Sequence, residues 1–141
     1  MKIVGFNFTR VNMEKFSDNY KGLKINTHID IVDVKQTKSE IIQTKDVLFK
    51  IKFNYDIEYE PKIAKISFSG KLLFLVDPKT AKSFLKEWKN KKFPDEHKIT
   101  IFNVILKKTN LRSLQLEDEL NLPLHISLPS LKESKKINPK I

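Results

Sequence analysis

The longest alternating segment of the chain runs from residue 47 to residue 59 and reads VLFKIKFNYDIEY. Apolar and aromatic side chains occupy every second position, and the positions between them are polar or charged except at Leu48. A period of two is typical of a β-strand with one face on a core and the other in water. The segment therefore predicts a long, half-buried strand of an antiparallel sheet.

The segment that follows predicts a hairpin partner. Glu60-Pro61-Lys62 is typical of a turn, and residues 64–76 alternate again. Gly70 lies in the middle of this second strand. A glycine there favours a bulge or the close approach of another backbone.

Two further strands precede residue 47. Residues 23–31 alternate cleanly, and Val4, Phe6 and Phe8 indicate a short first strand. The polar segments 11–21 and 36–40 are expected to be connections.

The period changes after residue 76, which predicts two helices. Asp77 as N-cap and Pro78 at the first helical position indicate a helix over 78–90. A second helix is expected to begin near Pro94. Its apolar positions run to residue 106, and it either continues through residue 114 or breaks at Asn110. We expect the acidic run 117–119 to be an exposed helix face.

The remaining sequence completes one domain. Residues 122–129 alternate, but two prolines exclude a central strand, so the segment must lie on an edge or pack as extended chain. We expect a single α+β domain over 1–131 and a lysine-rich, disordered tail over 132–141. The alternating N-terminus is unlike a signal peptide, so a cytoplasmic location is expected.

Composition excludes several chemistries. The chain has no cysteine, which rules out disulfides, thiolate zinc sites and a cysteine nucleophile. His28, His97 and His125 lack metal-ligand spacing, and no glycine-rich phosphate loop or serine triad pattern is present. We expect no cofactor, no metal and no enzymatic activity.

The chain is strongly basic, with a formal net charge of +10. This charge makes nucleic acid a candidate partner. However, only Arg10 and Arg112 are arginines, and arginine is the usual residue for bidentate recognition of bases and phosphates. A lysine-rich, cysteine-free composition is also typical of proteins from hot environments.

Aromatic residues fall on the inward positions of the predicted strands and first helix, where core packing is the default. A short helix is nevertheless small cover for two long apolar strand faces. The surplus must be covered by the second helix, by another subunit or by a ligand. We therefore expect a homo-oligomer. Trp88 is expected to face the sheet and anchor the first helix.

The order of elements resembles the SecB-like export chaperone family. The similarity rests on the strand pair 47–59 and 63–76, the helix 78–90, the Phe93-Pro94 connection, and Leu122-Pro123-Leu124 through Pro129. It covers residues 3–130 and implies a four-stranded antiparallel sheet followed by two helices.

The resemblance also implies a function. Members of that family are homotetrameric, ATP-independent holdases that bind unfolded or preprotein clients along apolar grooves. In this chain the candidate client-binding residues are Phe53, Tyr55, Tyr59, Phe68 and Trp88. Because familiar members are acidic and dock the SecA motor partly through acidic sheet residues, the basic charge argues against a SecA partnership. A nucleic-acid-binding α+β protein is the alternative.

Overall fold

The computed structural model describes residues 1–38, 45–93 and 95–131. These contain four strands followed by two helices. The elements are β1 (Lys2–Lys15), β2 (Lys24–Thr37), β3 (Val47–Glu60), β4 (Ala64–Val76), α1 (Pro78–Lys89) and α2 (Asp95–Glu119). The predicted α+β class and element order are confirmed. Part of the predicted 36–40 turn and the whole 132–141 tail lie outside the described residues.

The strands form one antiparallel sheet in the order β1-β4-β3-β2. The predicted hairpin of residues 47–59 and 64–76 is confirmed as the central pair, with Tyr55 opposite Phe68. β1 and β2 are the two edges. The pairing register shifts in both edge strands. In β2 the shift lies between Ile31 and Asp33.

The helices cover one face of the sheet, and alternation places the core on that face. Every odd-numbered position of β3 from 49 to 59 is buried, and so is every even-numbered position of β4. The largest fully buried side chains on this face are Phe49, Phe53, Tyr59, Phe68 and Phe74. The opposite face is mainly polar and charged.

Gly70 permits a close approach inside this core. A Cβ built at Gly70 would lie 2.5 Å from Cζ of Phe53 and 2.7 Å from the backbone oxygen of Asn7. The expected close approach is therefore confirmed. The bulge itself lies opposite, in β1, where the register shifts between Phe8 and Arg10.

The start of α1 follows the prediction closely. The Asp77 carboxylate caps the helix by accepting hydrogen bonds from the backbone N–H and the hydroxyl of Thr80, and Pro78 follows at the first position. These contacts hold the pKa of the Asp77 carboxyl below its ordinary value, the Thr80 side chain being the main cause.

The expected connections 11–21 and 36–40 are wrong in part, because β1 continues to Lys15 and β2 to Thr37. Of the two alternatives left open for the second helix, continuation is confirmed: α2 does not break at Asn110 but runs to Glu119. Two buried hydroxyls fit inside it because they bond back along the helix: Thr109 Oγ1 donates to the Ile105 carbonyl at 2.8 Å, and Ser113 Oγ to the Thr109 carbonyl at 2.6 Å.

The greater length of α2 accounts for the apolar surplus predicted on β3 and β4. Ile101 and Ile105 belong to the core cluster that includes Phe49 and Phe74, whereas Leu116 belongs to the cluster that includes Tyr59. The second helix therefore covers the apolar faces of β3 and β4. No helix in the described part of the chain is both long and apolar enough to cross a membrane.

Candidate functional site

A cavity of about 700 Å³ opens between the edge strand β2 and the connection from α1 to α2. Ile29 and Ile31 supply its strand side. Trp88, Phe93 and Phe102 supply aromatic rings on the opposite side. We call this cavity the edge groove.

The end of α1 brings the aromatic residues of the edge groove together. Lys91 has a φ of 56°, the left-handed conformation that commonly ends a helix. The N–H of Lys91 donates to the Trp88 carbonyl at 2.8 Å, and that of Lys92 to the Glu87 carbonyl at 3.1 Å. This turn folds the connection back, so that the Phe93 ring lies 6.1 Å from Trp88, centroid to centroid.

The second helix completes the aromatic side. Phe102 lies about two turns beyond the start of α2, and its ring centroid is 6.4 Å from that of Phe93. Phe93 is only partly buried and also meets the ring of Phe84 edge-on at 5.8 Å. The three rings therefore form a continuous apolar surface that rests on the core and faces the groove.

The strand side of the edge groove is a sheet edge. β2 pairs only with β3 in the described sheet, so its other side has no strand partner among the described residues. At the register shift next to Ile31, Val32 is 48% exposed. Backbone groups along such an edge can pair with an added extended segment.

The five predicted client-binding residues do not lie together. Phe53, Tyr55, Tyr59 and Phe68 are buried in the core of the chain, each no more than 3% exposed. Only Trp88 lines the edge groove. The expectation that Trp88 faces the sheet and helps to anchor α1 is met in part: its side chain packs against the core cluster but is only partly buried, whereas Phe84 is 1% exposed.

The sequence analysis did not select the other groove residues. In the sequence, Phe93 belongs to the Phe93-Pro94 connection and Phe102 lies among the apolar positions of the second helix, and neither pattern indicates a binding site. The available signal was an aromatic residue directly after a helix end, where the chain must remain near the surface. Ile29 and Ile31 could not be assigned, because only the fold brings β2 next to this connection.

A second cluster of functional groups is buried near the end of α2. Glu117, which was expected on an exposed face, has a fully buried side chain, so that expectation is wrong. Its carboxylate accepts hydrogen bonds from the Tyr59 hydroxyl and from the backbone N–H of His125, the latter at 3.3 Å. The Nδ1 atom of His125 lies 2.9 and 3.0 Å from its two oxygens.

This buried cluster attaches the segment after α2 to the sheet. The His125 ring is 1% exposed, and its Nε2 lies 2.9 Å from Oδ1 of Asn110. Tyr59 also donates its hydroxyl hydrogen bond to the Pro123 carbonyl at 2.6 Å. The cluster therefore joins α2, the sheet and the segment after α2 through hydrogen bonds.

The environment of the two tyrosines keeps them neutral. Burial raises the pKa of Tyr59 far above its ordinary value, and the hydrogen bond and negative charge of Glu117 raise it further. The pKa of Tyr55 is raised by burial and, secondarily, by the same carboxylate. Tyr59 therefore remains a hydrogen-bond donor throughout the physiological pH range. Because the cluster lies within the core, its role is to stabilise the fold.

The described residues contain no group of three or more His, Asp or Glu side chains that could hold a metal ion. The three histidines have different neighbours, His125 lying beside Glu117. His97 stacks on Phe84 with 5.2 Å between ring centroids, while His28 lies on β2 opposite Asp56. The edge groove, in contrast, is an open cavity that combines aromatic rings with a sheet edge.

The fold and this groove define an α+β protein with two helices on one face of a four-stranded antiparallel sheet and an aromatic cleft at its edge. A solved structure with a similar fold is that of the Rv1957 SecB-like chaperone of Mycobacterium tuberculosis, in complex with a ChAD peptide from the Rv1956 HigA1 antitoxin. The TM-score is 0.50, and the similarity covers 94% of this chain and 91% of that chain at 15% sequence identity.

At that identity the similarity shows the fold. The predicted SecB-like fold class is confirmed: four antiparallel strands followed by two helices. No protein-family model matches the chain, and no curated protein matches it.

Proposed function

We propose that this protein is a holdase, a chaperone that binds unfolded segments of client polypeptides without ATP. The observation that carries the proposal is the edge groove, an aromatic cleft of about 700 Å³ beside an edge strand. Its setting is a fold similar to that of a SecB-like chaperone. We place this activity in the cytoplasm.

The two sides of the edge groove fit an extended polypeptide in different ways. Backbone groups of the client would pair with the free side of β2, which gives affinity with little dependence on sequence. Alternate client side chains would enter the cleft against Trp88, Phe93 and Phe102. Aromatic side chains supply a large contact area at small conformational cost, which suits clients of varied sequence.

We assign client contact to these three aromatic residues and to Ile29 and Ile31. Phe53, Tyr55, Tyr59 and Phe68 lie beneath the chain's own side chains, and client contact with them would require other parts of the core to move away. The Phe53 ring, for instance, is 5.5 Å from Phe6, and the Phe68 ring is 5.1 Å from Phe8. Their role in the holdase is to support the sheet.

The proposal predicts that the double substitution Trp88→Ala and Phe102→Ala weakens client binding by roughly a hundredfold. Central aromatic contacts commonly contribute about 2 kcal/mol or more each, although such effects are not strictly additive. Binding would be measured by fluorescence anisotropy with a labelled unfolded protein, and holdase activity by suppression of its aggregation.

The matched control is Phe16→Ala, which removes an aromatic ring that is 55% exposed and does not line the edge groove. This control is expected to bind clients like the wild type. Equal weakening by Phe16→Ala, or full affinity in the double variant, would contradict the assignment of clients to the edge groove.

Nucleic acid is the second candidate partner, favoured by the net charge of +10 and by a row of exposed lysines on α1. Lys79, Lys82, Lys86 and Lys89 are all exposed, as their spacing predicts. Phosphate contacts weaken steeply with added salt, whereas apolar client binding does not. Tight, salt-sensitive binding of RNA or DNA, with no affinity for unfolded protein, would favour this alternative.

We also propose that the protein is a homo-oligomer, either a dimer or a tetramer. Large apolar side chains remain exposed on several elements; Val4 and Val11 on the edge strand β1 are each about 40% exposed, and Leu111 on α2 is 56% exposed. A self-complementary contact would cover such surfaces and protect a sheet edge. Light scattering is expected to give a multiple of 16.6 kDa. A monomer mass that does not change with concentration would contradict this prediction.

A further inference from the structure

Three lysines surround the aromatic side of the edge groove. Lys91, Lys92 and Lys98 all line the cavity and are exposed. The Nζ atom of Lys91 lies 4.7 Å from the centroid of the Trp88 ring, and that of Lys98 lies 5.8 Å from the centroid of Phe102. Two ammonium groups therefore lie against the rings that the proposed client would contact.

The fold fixes the backbone from which these lysine side chains extend. Lys91 and Lys92 belong to the turn that ends α1, and both of their N–H groups are bonded to helix carbonyls. Lys98 lies one position after His97 in the first turns of α2. Among the described side chains, no carboxylate forms an ion pair with any of the three lysines.

The acids of the edge groove do not cancel this charge. The cavity is lined by two carboxylates, Asp30 and Asp95, against three ammonium groups. Asp30 is paired in register with Asn54, which belongs to the polar face of the sheet, away from the helices. The aromatic side therefore presents positive charge to a client, in a chain whose net charge is already +10.

We propose that the edge groove selects client segments in which apolar residues are flanked by aspartate or glutamate. The proposal rests on the proposed holdase function and names the class of client. In an extended segment, residues two apart point the same way about 7 Å apart. An apolar side chain can thus occupy the cleft while a neighbouring carboxylate reaches Lys91, Lys92 or Lys98. Segments with lysine or arginine in those positions would be repelled.

The experiment uses three synthetic peptides that share one aromatic and aliphatic core and differ only in flanking residues, which are glutamate, glutamine or lysine. Binding to the full-length protein is measured by fluorescence anisotropy at low salt and again at high salt. We expect the glutamate peptide to bind roughly tenfold tighter than the glutamine peptide, and the lysine peptide to bind weakest. The differences should shrink at high salt because screening reduces them.

Charge reversal tests whether the three lysines are responsible. The combined variant Lys91→Glu, Lys92→Glu and Lys98→Glu is expected to prefer the lysine peptide. The matched control reverses three exposed lysines outside the groove, Lys79→Glu, Lys82→Glu and Lys107→Glu, and so changes the net charge equally. The control is expected to retain the preference for glutamate. Circular dichroism of both variants establishes that they are folded.

The possible results separate this inference from the holdase proposal. Equal affinity of the wild type for all three peptides would overturn the acidic preference and leave the holdase function standing. Failure to bind any of the peptides would overturn the holdase function, and the inference with it. Loss of the preference to the same extent in both triple variants would show a general effect of net charge, which would overturn the assignment to Lys91, Lys92 and Lys98.

Discussion

Replacing Glu117 with alanine is expected to lower the free energy of unfolding by about 3–5 kcal/mol, because it leaves several buried hydrogen-bonding groups unsatisfied at roughly 1–3 kcal/mol each. The carboxylate is fully buried. It accepts hydrogen bonds from the Tyr59 hydroxyl and the His125 backbone N–H, and it lies within hydrogen-bond distance of the His125 ring. Alanine leaves these groups buried without their acceptor, and an unsatisfied buried group loses its hydration without compensation.

Urea unfolding followed by circular dichroism measures this change, because the midpoint shifts at an unchanged slope when only stability is altered. Glu119→Ala is the matched control, since Glu119 is the same residue type two positions away and is exposed. Its effect should stay within about 0.5 kcal/mol. If Glu117→Ala lowered the free energy of unfolding no more than this control, the contacts of Glu117 with the sheet and with His125 would not stabilise the fold, contrary to the prediction.

A second measurement tests what the Glu117 cluster does for the chain end. The segment after α2 is held through His125 and through the Pro123 carbonyl that accepts from Tyr59. In Glu117→Ala, hydrogen exchange at the His125 amide should therefore accelerate more than exchange in the central strand β3. Equal acceleration in both places would indicate a general loss of stability instead of local release.

The central strands and α1 were predictable from the sequence because their signals are local. Residues 47–59 and 64–76 alternate over most of their length, with Leu48, Leu73 and Leu75 as the exceptions, and Asp77-Pro78 marks a helix start by itself. β1 was underestimated for an equally local reason. The bulge at Thr9 changes the phase of alternation, so Phe6 and Phe8 before it and Val11 and Met13 after it do not fit one period.

Long-range contacts explain why the sequence left the end of α2 open at Asn110 and why Glu117 was expected to be exposed. Asparagine is a poor helix former, which is why a break at Asn110 was considered. In the structure the Asn110 side chain accepts from Tyr55 at 3.4 Å and faces His125 at 2.9 Å. Likewise, the local sequence predicts that Glu117 is exposed, because its contacts with Tyr59 and His125 form only in the folded chain. Partners so far away in sequence leave no periodic signal.

The edge groove also depends on contacts between residues that are distant in sequence. An aromatic residue at an inward position indicates burial, but the pattern does not distinguish a core from a binding site. Phe53 and Phe68 proved to be core because α2 is long enough to cover the sheet. Trp88 lies where α1 ends, and its exposure depends on the turn at Lys91 and on the neighbouring edge strand.

Replacing Phe84 with alanine should be the most costly change on α1, with an expected loss of about 3–5 kcal/mol. Phe84 is 1% exposed, and its ring centroid lies 5.7 Å from that of Phe49 and 5.3 Å from that of Phe74. Removing the ring would leave a cavity where α1, the sheet and the connection to α2 meet. Phe93 would lose its edge-on contact with Phe84, so the edge groove should also become less rigid.

Two comparisons on the same helix, again by urea unfolding, make this prediction specific. Leu85→Ala is expected to cost within about 1 kcal/mol, since Leu85 is 37% exposed. Trp88→Ala should cost less than Phe84→Ala in stability but more in client affinity, because Trp88 lines the edge groove and is only partly buried. If Trp88→Ala destabilised the protein more than Phe84→Ala did, then Trp88 would be the anchor of α1, and client contact would have to be assigned to other residues.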